Sequence, residues 1–191
     1  MIRFDRVAKR YPPGVDALSE VSFEVAEREM VLVGGHSGAG KSTLLKLVAA
    51  IEQATSGAVL VGGQNLGGLS RAALPFLRRR IGMVFQDQKL LFDRNAFQNV
   101  MLPLSIAGFP PREAAQRVRA ALDKVGLGKR EKALPVMLSG GEQQRLAIAR
   151  AVVGRPGLVL ADEPTAHLDA ETANDVARIF HDFHQVGVTM L

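Results

Sequence analysis

Apolar positions along the 191-residue chain follow two rhythms. Short runs closed by glycine, proline or a charge predict strands, and returns every three or four residues predict helices. Ile2, Phe4 and Val7 open a first strand, Tyr11-Pro12-Pro13-Gly14 breaks it, and Leu18 to Val25 supplies a second in which Val21, Phe23 and Val25 alternate. Met30 to Val33, closed by Gly34, reads as a buried parallel strand. Leu44, Leu47, Val48 and Ile51 then fall at i, i+3, i+4 and i+7, one stripe of a helix. Gly57 to Val61 before Gly62-Gly63 predicts a short strand and turn. Leu69 to Arg80 predicts a helix ending in three arginines, and Ile81 to Phe85 a buried strand. From 87 to 137 helix formers dominate, punctuated by Pro103, Pro110, Pro111 and Pro135; Val118, Leu122 and Val125 mark one helix that stops at Gly126. A further helix opens at Leu138-Ser-Gly-Gly-Glu142 and runs to about Val153. Leu158 to Ala161 is an apolar strand, Val176, Ile179, Phe180 and Phe183 stripe a helix, and Gly187 to Leu191 begins a last strand. The alternation describes an α/β domain with a helical insertion.

Several of the joints carry chemistry. Gly35-His36-Ser37-Gly38-Ala39-Gly40-Lys41-Ser42 fits the phosphate-loop spacing and sits between a predicted strand and helix, the context that spacing needs. Its glycines let backbone N–H groups turn toward a phosphate at a helix N-terminus. Lys41 would reach the β- and γ-phosphates, and the Ser42 hydroxyl would bind Mg²⁺. Asp162-Glu163 closes an apolar strand, which assigns Asp162 to the metal and Glu163 to polarising the attacking water. Ser139 is a suitable helix cap, and Gly140-Gly141 would expose the first N–H groups of a second anion-binding helix start. Gln86 follows a strand at its carboxyl end, where ligands of open α/β sheets lie. Tyr11, the only tyrosine, either stacks on a purine or covers the edge of the sheet. His36, His167, His181 and His184 show no metal-ligand spacing beyond the i, i+3 pair His181/His184, which lacks a supporting carboxylate.

Composition narrows the setting. The length suits one domain with a sizeable core. The absence of cysteine excludes disulfides and cysteine-ligated zinc. No apolar run is long enough to span a membrane, and the N-terminus lacks the plan of a signal peptide. The formal charge of +5 is uneven: Arg71 to Lys132 holds 13 Lys and Arg against 5 Asp and Glu. A basic middle on an acidic remainder suits an anionic surface, phospholipid or nucleic acid, or simply a solvated face.

Taken together, the phosphate loop, Gln86, Leu138-Ser-Gly-Gly-Glu142, Asp162-Glu163 and Asp169 resemble the ATP-binding cassette family, over essentially the whole chain. The runs Gly35 to Leu47, Pro75 to Met83, Ala121 to Leu127 and Gly187 to Thr189 are similar to its bacterial cell-division members. The resemblance implies a P-loop NTPase with a RecA-like core, an N-terminal antiparallel β-subdomain and a helical subdomain. The single domain 1–191 would divide into a core of 1–86 and 154–191 and a helical part of 87–153. It implies an ATPase using ATP and Mg²⁺, with catalytic Glu163, Gln86 and Lys41 and with Ser42, Gln86 and Asp162 around the metal. Tyr11 would face adenine, and Gly35 through Thr43 the phosphates. Ser139, Gly140, Gly141, Glu142 and Asp169 would act across a head-to-tail homodimer. An integral membrane protein resembling FtsX would dock on the helical part, at the cytoplasmic face of the bacterial inner membrane, with no nucleic acid. Export or lipoprotein release is the alternative within transport, and nucleic-acid processing the one outside it. Two departures stand out. Ala166-His167 replaces a more usual Gly-Asn, and the family's switch histidine would fall a few residues past Leu191. These 191 residues are therefore expected to be C-terminally truncated relative to the family, to bind ATP, to hydrolyse it slowly and to expose part of the sheet.

Overall fold

The computed structural model describes residues 1–191. Strands β1 (Ile2–Tyr11) and β2 (Val15–Val25) form an antiparallel hairpin, and β3 (Ser56–Val61) and β4 (Gln64–Asn65) complete a four-stranded sheet in the order β2-β1-β3-β4. Alternation decides its faces: Ile2, Phe4, Val25, Val59 and Val61 are all buried inward, and Phe4 stacks on Phe23 with centroids 4.6 Å apart. The second sheet is parallel, β5 (Ile81–Val84), β6 (Leu158–Ala161) and β7 (Thr189–Met190), with β6 in the middle. Its continuous apolar runs match its position between layers.

Helix α1 (Lys41–Val48) packs Leu44, Leu45, Leu47 and Val48 between the two sheets. Ile51 does not extend that stripe. The helix ends at Val48, Ala50 takes φ 50°, and Ile51 is exposed. The predicted helix from Leu69 to Arg80 is also shorter, reduced to α2 (Leu74–Arg78), with a 3₁₀ turn at Leu66–Gly68 before it. Pro75 sits in its first turn, where a missing N–H costs nothing.

Residues 96–152 form the helical layer: α3 (Ala96–Ile106), α4 (Pro111–Lys124) and α5 (Gly140–Val152). Their buried faces meet around Val100, Leu104, Val118, Leu122, Leu127 and Leu146. Pro103, which the sequence suggests as punctuation, lies inside α3. A capping box from Asn95 and Gln98 and the wholly buried Val100 and Leu104 on either side of it hold the helix through the lost bond. The opposite face of α5, through Ile148 and Val152, meets Val84, Val159 and α6 (Ala170–Gln185) in a third core. One helix thus belongs to both the helical layer and the parallel sheet.

The predicted strand Met30 to Val33 is a correction. Only Met30 pairs, as a parallel bridge to Met190, flanked by Val31 N–H donating to Met190 O at 3.0 Å. Leu191 donates to Val159 O and accepts from Ala161 N, so both of its backbone groups face β6 and neither reaches residues 32 and 33. Leu32 is accordingly 91% exposed.

Candidate functional site

The parallel strands deliver their carboxyl ends to one edge. Val84 O accepts from Asp162 N at 2.9 Å, which carries the β5–β6 ladder one residue past β6 and fixes Asp162. Glu163 then takes φ 47°, a left-handed conformation that costs a non-glycine residue about 1 kcal/mol or more. The reversal sends the two carboxylates to different partners. Asp162, 8% exposed, accepts from Ser42 Oγ at 2.9 Å. Glu163 reaches Lys41 Nζ at 3.4 Å and the Gln86 amide nitrogen at 3.5 Å.

Facing them is the loop that leads into α1. Gly38 and Gly40 sit at φ 84° and 90°, and a Cβ on Gly40 would collide with the carbonyl of Ala17 on β2. Helix α1 therefore begins pressed against the hairpin, with no side chain capping it, so its first N–H groups stay available to an anion. The Lys41 ammonium lies within the loop, donating to Gly35 O at 2.9 Å and His36 O at 3.1 Å. Gly35 packs closely on Ala39, the His36 ring bonds Ser37 O at 2.8 Å, and Thr43 is half-buried in the first turn. Tyr11 stands at the tip of the hairpin opposite Val15, with the Lys9 ammonium 4.7 Å from its ring centroid.

Ser139, Gly140, Gly141 and Glu142 make no hydrogen bond to this cluster. Ser139 caps α5 in a reciprocal box: its hydroxyl accepts from Glu142 N, and Glu142 accepts from Ser139 N at 2.9 Å. Gly141 lies against Thr172, where any Cβ would clash, while Gly140 faces open space. Thr172 is in turn held by Asp169, which caps α6 and accepts from the Thr172 N–H at 2.9 Å and its hydroxyl at 2.7 Å. Those two bonds hold the Asp169 carboxyl below its ordinary value. Just before it, His167 takes φ 64°, a conformation asparagine and histidine tolerate better than most residues; the Ala166-His167 departure is thus accommodated.

Three residues with no motif of their own complete the picture. Arg150 of α5 donates through both terminal nitrogens to Lys89 O and Gln88 O, two consecutive left-handed residues that follow Gln86. Burial pulls its guanidinium below the ordinary value. Its signal in the sequence is a lone charge in the run Leu146-Ala-Ile-Ala-Arg150-Ala-Val-Val153. Asn99, fully buried, ties Leu91, Arg94 and Asn95 to α3 through four bonds. Thr172 is the third, legible only as the N3 residue after a capping aspartate. No group of three His, Cys, Asp or Glu is placed to hold a metal ion. The Ser42–Asp162 oxygen pair nonetheless fits Mg²⁺, which takes most of its ligands from phosphates and water.

A phosphate loop under two strand-end carboxylates, with a capped Ser-Gly-Gly helix on a separate helical layer, defines an ATP-binding cassette. The ABC transporter family matches residues 18–166, and the chain belongs to it. It is 51% identical over 191 residues to the cell division ATP-binding protein FtsE of Escherichia coli (strain K12), covering 100% of this chain and 86% of that one. To FtsE of Bacillus subtilis (strain 168) it is 41% identical, covering 100% and 84%. Among solved structures, the ATP-binding cassette MJ0796, dimeric in a post-hydrolysis state with ADP and Pi, superposes with a TM-score of 0.92 at 33% identity, over 100% of this chain and 86% of that one.

Proposed function

We propose that the chain is the ATP-hydrolysing subunit of a bacterial cell-division complex, a homodimer that couples ATP-driven closure to a membrane partner resembling FtsX. The observation that carries the chemistry is the gathering of Lys41, Ser42, Gln86, Asp162 and Glu163 at the carboxyl ends of β5 and β6. Lys41 would leave the Gly35 and His36 carbonyls for the β- and γ-phosphates, and the free N–H groups of α1 would hold the remaining oxygens. Mg²⁺ held at Ser42, Asp162 and Gln86 would supply charge neutralisation on those phosphates. Glu163, released from Lys41 by the incoming phosphate, is then free to accept the proton of an in-line water.

Tyr11 serves the adenine, and Ser139, Gly140 and Gly141 serve the γ-phosphate of a second copy, with Asp169 at the join. The ADP- and Pi-bound dimer of MJ0796 supports that arrangement. A cleft of about 620 Å³ between α2, β5 and α3, lined by Pro75, Ile81, Leu102, Ile106 and Phe109, is the seat that suits the membrane partner. Cell division is favoured over transport by the 51% identity to FtsE over the whole chain. No helix is long and apolar enough to cross a membrane; docking on such a membrane partner would hold this subunit at the membrane's inner face.

The test is Glu163→Gln. Steady-state turnover should fall by roughly 10²–10³, with ATP affinity by calorimetry held within about threefold. Unchanged turnover would remove Glu163 from the chemistry and with it the ATPase reading of this edge.

A further inference from the structure

At the ends of β5 and β6 opposite Asp162 lies a second cavity, of about 420 Å³, beside their first residues Ile81 and Leu158. Arg79, Arg80 and Arg155 line it, and no Asp or Glu does. None of these three arginines belongs to any ion pair in the molecule, whereas Arg3, Arg10, Arg117, Arg119 and Arg130 each have a carboxylate within 4.0 Å. Arg155 comes from outside the basic middle of the sequence; folding, not composition, adds it. Arg79 donates to Ile106 O at 3.1 Å, as Arg78 outside the cavity donates to Ala50 O at 2.8 Å, so Arg80 and Arg155 are the two whose guanidiniums have no partner in the chain. Phe76 also lines the cavity, 65% exposed, with the Arg79 guanidinium 5.4 Å from its ring centroid.

Two unpartnered guanidiniums, Arg80 and Arg155, around one hollow match the oxygens of a phosphate ester, and an exposed aromatic beside them suits the boundary between headgroup and acyl chain. A soluble phosphate would leave Phe76 unused. We propose that this cavity is an anionic-phospholipid headgroup site, separate from the nucleotide site, that seats the subunit on the membrane surface through Arg80, Arg155 and Phe76. The proposal rests on the membrane-surface reading above but not on the ATPase chemistry.

The experiment is co-sedimentation of the full chain with phosphatidylcholine vesicles, with and without phosphatidylglycerol, in the absence of any membrane partner. Binding should need phosphatidylglycerol. Arg80→Glu with Arg155→Glu should weaken it roughly 600-fold, at about fivefold for each of the four units of charge changed near the surface. Lys129→Glu with Lys132→Glu, an equal charge change elsewhere in the basic middle, should weaken it no more than about threefold. Equal loss for both pairs would overturn the site in favour of a diffuse basic surface. Inorganic phosphate displacing the protein from vesicles at matched ionic strength, in an Arg80- and Arg155-dependent way, would assign the cavity to a soluble phosphate and overturn the lipid. Should the double reversal misfold, Arg80→Gln with Arg155→Gln gives the same reading at about half the effect on the logarithmic scale, and full binding by that variant would also overturn it. ATP affinity, measured alongside, should be unchanged in every variant, so failure here is distinct from failure of the nucleotide site.

Discussion

The phosphate loop and the Ser139–Glu142 turn are both glycine-rich starts of helices, yet they use glycine for opposite reasons. In the loop the demand is internal: Gly40 sits at φ 90° with the Ala17 carbonyl where its Cβ would be, and no side chain caps α1. At α5 the cap is complete, Ser139 and Glu142 bonding each other's backbone, and Gly140 has open space where a Cβ would go. Nothing within the chain forbids a side chain at Gly140. A glycine that its own fold does not require points outward, and the proposed partner across the dimer is what would require it. Gly141 falls between the two cases, since Thr172 of the same chain excludes its Cβ.

The largest effect that would break this contrast is at Gly40. Gly40→Ala combines left-handed strain with a clash against fixed backbone, and should cost about 3 kcal/mol or more by chemical denaturation, with loss of ATP binding. Gly140→Ala should do the reverse. Its helical position makes alanine neutral or stabilising by about 0.5 kcal/mol, while the added methyl at a packed interface should weaken the ATP-dependent dimer by about tenfold. Light scattering at saturating Mg-ATP separates the two. Should Gly140→Ala dimerise as the parent does, the outward reading of that glycine is wrong.

A smaller effect concerns what joins the two starts. Arg150 leaves α5 to hold Gln88 and Lys89, so the helix capped at Ser139 positions the loop that follows Gln86. Arg150→Lys keeps the charge and loses the fork, and two carbonyls share what one ammonium can reach. We expect about 1–2 kcal/mol less stability and a lower kcat with ATP affinity preserved. A proportional rise in KM with kcat intact would show that the loop does not hold Gln86 for the chemical step.

What the sequence disclosed and what it withheld divide along the same line. Lys41, Ser42, Asp162 and the Ser139–Glu142 cap were legible because their chemistry is carried by neighbours in the chain: a loop, a strand end, a box with fixed spacing. The carboxyl-end clustering of Gln86 with Glu163 follows from parallel pairing of β5 with β6, which the apolar runs announced. Pro103 inside α3, the unpaired Leu32 and the work of Arg150 depend on partners far away in sequence. Local rules read a proline as a stop and an apolar run as a strand. Burial of Val100 and Leu104 overrides the first, and the turning of both Leu191 backbone groups toward β6 overrides the second. The left-handed Glu163 was likewise illegible, since nothing in Asp-Glu-Pro announces a reversal there.

The smallest effect tests the seat on which Gly141 rests. Asp169 caps α6 and fixes Thr172, and the Thr172 N–H and hydroxyl depress its carboxyl. A depressed carboxylate adds stability that is fully present above its unfolded value, near 4, and is lost as pH falls through the folded one. Acidification below about pH 4 should therefore weaken this cap in the parent chain. Asp169→Asn keeps an acceptor for the Thr172 N–H, since asparagine caps as well as aspartate, but it cannot titrate. The variant should melt close to the parent at neutral pH and lose less stability on acidification, so that a gap opens at low pH with the variant the more stable. The group is fully exposed, so the gap is small and shrinks further in salt. Parallel pH profiles for parent and variant would show that the Thr172 bonds do not bias the charge of Asp169. Gly141 would then be seated by packing against Thr172 alone.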